Sequence, residues 1–159
     1  MPVTSENTSH LLRDIRAYPI HRELRPVYRL REKYTRQSSR RDVSWDFELG
    51  QGRENLAQAI IMRLLVPRGE LSALGHPQYG SRVHELIGGR NTASQRNLLK
   101  LHILEALAQE PRVKKVAELD VQASKGTRST VDVLLRVEVA GLPESLQIGP
   151  FSIDLGASS

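Results

Sequence analysis

Thr130-Val131-Asp132-Val133-Leu134-Leu135-Arg136-Val137-Glu138-Val139-Ala140 decides the fold. Val131, Val133, Leu135, Val137 and Val139 share one parity, while Thr130, Asp132, Arg136 and Glu138 take the other. A strand turns successive side chains to opposite faces, so the run reads as a strand with one apolar face and one polar face. Upstream, residues 113–123 put Val113, Ala117, Leu119, Val121 and Ala123 on one parity, and Ser124-Lys125-Gly126-Thr127 between the two runs marks a hairpin. Downstream, Leu146 and Ile148 change parity with Phe151, Ile153 and Leu155 across Gly149-Pro150, which predicts a bulge or bend there.

Before this β third, three segments read as helical. In 54–66, Leu56, Ala59, Ile60, Arg63 and Leu64 recur with a period near 3.6, and Pro67 stops the run. A short helix is expected over 81–87, closed by Gly88-Gly89. A third, about 93–109, has Thr92 and Gln95 as a capping box and Pro111 as its stop. Trp45, Phe47 and Leu49 alternate with Asp46 and Glu48 as a short strand. The predicted class is α+β: a small antiparallel sheet with one face covered by about three helices, preceded by a basic N-terminal extension.

The charge divides the 159 residues into two parts. The net charge is +5, and residues 1–44 hold ten basic against five acidic residues, so the whole excess lies there. The expected organisation is a basic arm over 1–43 and a near-neutral domain over 44–159. In the arm, Leu11, Leu12, Ile15 and Tyr18 have helical spacing up to Pro19, Val27, Leu30, Arg31 and Tyr34 could share a helical face, and 36–42 reads as a linker. Three of the four tyrosines lie there, so Arg16, Tyr18, Arg25, Tyr28, Arg29 and Tyr34 are candidate partner-binding residues, a composition that interfaces enrich. The same arm admits a nucleic-acid-binding reading, in which its cations contact phosphates without sequence preference.

Enzyme signatures are sparse. Cysteine is absent, which excludes disulfides, thiolate metal ligands and a thiol nucleophile. The five histidines do not fall in close ligand spacing, and neither G-x-G-x-x-G nor G-x-x-x-x-G-K-[ST] occurs. No apolar run reaches the roughly 20 residues of a membrane span, and the first ten residues lack a signal-peptide core. The expectation is therefore a protein with no catalytic residues, metal, cofactor, small-molecule substrate or membrane.

Two local features stand out. The loop 67–80 is set by Pro67, Gly69, Gly75, Pro77 and Gly80 and carries Glu70 and Tyr79; loops of this length in compact domains are often functional. Glu110-Pro111-Arg112 ends the long helix on a stiff corner. It reads either as a plain helix-to-strand turn or as a polar anchor whose two charges point in different directions.

Taken in order, the helix ENLAQAIIMRLLVPRGE, the block HPQYGSRVHELIGG and the helix ending in EPRV resemble the small baseplate wedge proteins of contractile phage tails and contractile injection systems. That family is also labelled lysozyme-like or baseplate assembly protein W, and its members act as sheath initiators. The resemblance covers about 45–155, and its most specific parts are Pro67, Gly69 and Glu70, then Pro77, Tyr79 and Gly80, then Glu110, Pro111 and Arg112. The basic arm is not part of the shared pattern. The resemblance implies structural work in a six-fold baseplate assembled in the bacterial cytoplasm. It implies a sheet extended by strands from sheath subunits, a Glu110-Pro111-Arg112 corner that contacts other wedge proteins, and neighbours that include tube or hub proteins. A regulatory adaptor of the same fold, binding one partner, is the further alternative.

Overall fold

In the computed structural model the described residues are 11–19, 28–30, 32–36, 43–47 and 49–156. The centre is an antiparallel sheet of β7 (Val113–Ala123), β8 (Thr130–Val139) and β9 (Leu146–Asp154), with β8 in the middle. The alternation of 130–139 is realised directly. Val131, Val133, Leu135, Val137 and Val139 are buried, and they pack with Leu56, Ile60 and Leu64 of α1 (Gly52–Leu65) and Leu99, Ile103, Ala106 and Leu107 of α2 (Ala93–Leu107).

The flanking strands keep their apolar residues opposite this row by irregular spacing. On β7 the partners are Val113 opposite Val139, Val116 opposite Val137, Leu119 opposite Leu135 and Val121 opposite Val133. Register shifts between Val113 and Lys115 and between Val116 and Glu118 insert one extra residue each. The constant parity expected for β7 therefore fails at its start: Val116, not Ala117, faces the core, because each bulge exchanges the two faces of the strand. On β9, Val133 opposes Phe151 and Leu135 opposes Ile148, so the extra residue falls at Gly149-Pro150, where a bend was expected. Gly149 has φ of +99°, and a Cβ on it would lie 2.7 Å from the Val133 carbonyl oxygen, so both conformation and space require glycine.

Three helices over one sheet face is the expectation the structure corrects. Among the described residues there are two α-helices. The segment 81–87 forms only a 3-10 turn, Val83–Leu86, closed by the bonds Glu85 N–H to Arg82 C=O and Ile87 N–H to His84 C=O. Ser81 Oγ accepts from the Val83 amide at its start, and Ile87 is already extended at its end, so no length remains for an α-helical turn. α2 is capped by Thr92, whose Oγ1 accepts from the Gln95 amide, but the reciprocal half of the capping box is not made: the Thr92 amide bonds to the Arg90 carbonyl instead.

The basic extension is a second correction. Its described parts are strands, not helical faces. β1 (Arg13–Ile15) pairs with β6 (Leu49–Gln51), β2 (Ala17–Pro19) with β3 (Tyr28–Leu30), and β4 (Glu32–Arg36) with β5 (Val43–Phe47), all antiparallel. Helical spacing over four or five apolar residues does not outweigh ladder partners supplied from elsewhere in the chain. Leu11 is buried with the core residues of α1, α2 and the sheet, so the extension packs against the domain at this residue.

Candidate functional site

The Glu110-Pro111-Arg112 corner is a β-turn built onto a helix end. The Glu110 carbonyl accepts from the Val113 amide at 3.0 Å, with Pro111 at the position where a fixed φ suits the turn. The Arg112 carbonyl then accepts from the Ala140 amide at 3.0 Å, which seats the turn beside the end of β8.

The two charges of the corner do not point apart, as their placement around a proline suggested. Arg112 Nε donates to Glu110 Oε1 at 2.6 Å, and the Arg112 amide reaches the same oxygen at 3.4 Å. Folding Arg112 back over its own turn satisfies a carboxylate that is only 4% exposed. The other oxygen, Oε2, accepts from Arg63 Nη2 at 3.4 Å. Burial by itself pushes the Glu110 carboxyl up, but the hydrogen bond and charge of Arg112, with the charge of Arg63, outweigh it and hold the group below its ordinary value.

Arg63 ties the corner to the loop 67–80. Its guanidinium carbon sits 4.5 Å from the centre of the Tyr79 ring. The Tyr79 hydroxyl is raised above its ordinary value by burial, which Arg63 partly offsets. The loop closes on itself next to this contact. Ser81 N–H donates to the Val66 carbonyl, Arg68 N–H to the Ser81 carbonyl and Gly69 N–H to the Tyr79 carbonyl, at 2.9, 2.8 and 3.3 Å. Pro67 and Ser81 form a parallel bridge, and Gly80 has φ of +104° where a Cβ would come within 2.5 Å of the Val66 carbonyl oxygen. Glycine at 80 is therefore what allows the two ends of the loop to touch.

The three sequence blocks singled out above thus meet in one place, and their roles divide. Gly80 is buried, and Tyr79, Pro67 and Gly69 are half-buried in the clasp; Glu70 and Pro77 are exposed on the outer part of the loop. Glu110 is buried, Pro111 is exposed, and the Arg112 side chain is 17% exposed. Sequence reasoning had placed Arg63 on the apolar face of α1 without giving it a role. A lone arginine in the row Leu56-Ala59-Ile60-Arg63-Leu64 was itself the signal, because a charge on a core-facing helix stripe needs a buried counter-charge. Leu11 and Asn55 were also missed: Arg112 Nη1 donates to the Leu11 carbonyl at 3.3 Å, and Asn55 Nδ2 donates to the same oxygen at 2.9 Å.

The candidate arm residues are only partly described. Arg16 is ion-paired with Glu54 on α1. Tyr18 on β2 lies opposite Arg29, and Tyr28 on β3 lies opposite Pro19. Tyr34 on β4 lies opposite Trp45. Arg25 lies outside the described residues. Among the described residues no group of three or more His, Cys, Asp or Glu side chains is placed to hold a metal ion, and no helix is long and apolar enough to cross a membrane. A search of family models gave no match, and neither the curated proteins nor the solved structures gave a similar one.

Proposed function

We propose that the protein is a structural component of a contractile-tail or injection-system baseplate, which anchors through the corner at Glu110-Pro111-Arg112 and accepts a strand from a sheath subunit. The observation that carries this reading is the three-stranded sheet, in which β7 and β9 have no partner strand on their outer sides among the described residues. An outer strand offers backbone donors and acceptors to another chain, and pairing through them needs no particular side chain. The convergence of the loop and the corner on Arg63 supports the resemblance, since blocks separated in sequence serve one structural unit.

The register shows which backbone amides face outward from the sheet. Ser124 N–H donates to the Thr130 carbonyl, so the neighbouring Ala123 amide points away from β8. Leu155 N–H donates to the Ser129 carbonyl, so by the same alternation the Ser152 amide points away from β8. Proline at either position removes one outward donor and leaves the backbone ladder to β8 intact, and at 152 it also removes the hydrogen bond from Ser152 Oγ to Asp132. The test compares wild-type chain with Ala123→Pro and Ser152→Pro in polymerisation of contractile-sheath subunits, followed by electron microscopy. One variant is expected to stay folded and fail to nucleate sheath, which also names the accepting edge. Normal nucleation by both folded variants would overturn strand addition.

A further inference from the structure

We infer that the Glu110-Pro111-Arg112 corner is also an internal latch, which seats residues 11–16 against the domain and makes the β1–β6 ladder the element that opens when Arg112 is disengaged. This inference goes beyond the proposed function and does not depend on it. One guanidinium does two jobs: Arg112 Nε holds the buried Glu110, and Nη1 holds the Leu11 carbonyl, 101 residues away in sequence. Asn55, buried on α1, supplies the second donor to that oxygen. The Leu11 side chain is inserted in the core, while the next residue, Leu12, is 62% exposed and is held in left-handed backbone at φ 64°. A non-glycine residue in that region is strained, so Leu11 is pinned at the cost of its neighbour.

Beyond Leu12 the described attachment is to α1 and β6. Gln58 Nε2 donates to the Ile15 carbonyl at 2.8 Å, Arg16 pairs with Glu54, and β1 adds three residues of ladder to β6. Short strands with exposed side chains open at low free energy relative to a core. The pin at Leu11 is therefore what keeps β1 in register. The physical consequence is coupling. Because one guanidinium holds both the buried Glu110 and the Leu11 carbonyl, a contact that draws Arg112 away from the corner also releases residues 11–16.

The test is hydrogen exchange by mass spectrometry on the full chain, comparing wild type with Arg112→Lys. Lysine keeps the charge beside Glu110 but lacks the second arm of the fork that reaches Leu11. The expected result is exchange of β1 and β6 amides faster by about tenfold, the size that follows from losing one charge-assisted hydrogen bond, with β8 amides changed by a much smaller factor. Unchanged β1 and β6 exchange, or acceleration by one factor across β1, β6 and β8, would overturn the latch. Should the variant not fold, the wild-type chain alone decides. In low denaturant, β1 and β6 are expected to exchange through an opening that exposes less surface than global unfolding. Exchange of these strands only through global unfolding would overturn the inference.

Discussion

Glu110 is a charge taken out of water and paid back by two arginines, and its energetics follow from that arrangement. A carboxyl held below its ordinary value of 4.5 contributes stability that is complete above that pH and is lost as pH falls through the lower value of the folded state. The substitution Glu110→Gln leaves Arg63 and Arg112 without their counter-charge and should destabilise the fold at neutral pH by about 3 kcal/mol. Urea unfolding across roughly pH 5 to 3 should then show wild type losing stability more steeply than the variant. Parallel curves would mean that the pairing makes no net contribution. Gly80 is the second residue whose environment leaves no alternative. Gly80→Ala adds a Cβ at a left-handed φ and against the Val66 carbonyl, and should cost about 2 kcal/mol or more by thermal or urea unfolding.

At the scale of elements, α2 shows how a helix can be apolar on more than its buried stripe. Leu99, Ile103, Ala106 and Leu107 are buried, while Leu98, Leu101 and Leu104 are exposed. From the spacing of its leucines the helix has one wide apolar face; its packing on β7, α1 and the Val83–Leu86 turn divides that face into two. Leu99→Ala should cost about 2–5 kcal/mol, the range for a buried leucine. Leu101→Ala, at 49% exposed, should stay within about 0.5 kcal/mol of wild type. Paired urea melts check both, and equal losses would contradict the division of the helix.

At the scale of the whole molecule, the proposed strand addition needs a sheet edge that is open to a partner and still avoids pairing with copies of itself. β7 and β9 show devices for the second requirement. β7 carries two bulges and the exposed charges Lys114, Lys115 and Glu118, and β9 is interrupted at Gly149-Pro150. Glu118 is ion-paired with Arg136 across the strand, so the two lysines are the charges to change. The double variant Lys114→Val, Lys115→Val should show concentration-dependent association by sedimentation velocity where wild type does not. Identical sedimentation of the two would mean that these charges do not guard the edge.

The apolar alternation of 130–139, the proline stops of the two helices, the Thr92 cap and the irregularity at Gly149-Pro150 were all legible in the sequence. Each is a local property: side-chain period, a missing amide proton, a backbone angle open to glycine. The bulges of β7 were not legible, because a bulge is defined by the opposite strand. The strands of the N-terminal extension were not legible either, since three to five residues acquire a ladder only when a distant segment supplies the matching donors and acceptors. The same holds for the corner. Pro111 declared a turn, but whether Glu110 and Arg112 faced outward or each other depended on Arg63 arriving from α1 and Leu11 from the chain's start. A buried charge takes the nearest counter-charge in space, and sequence distance does not enter that choice.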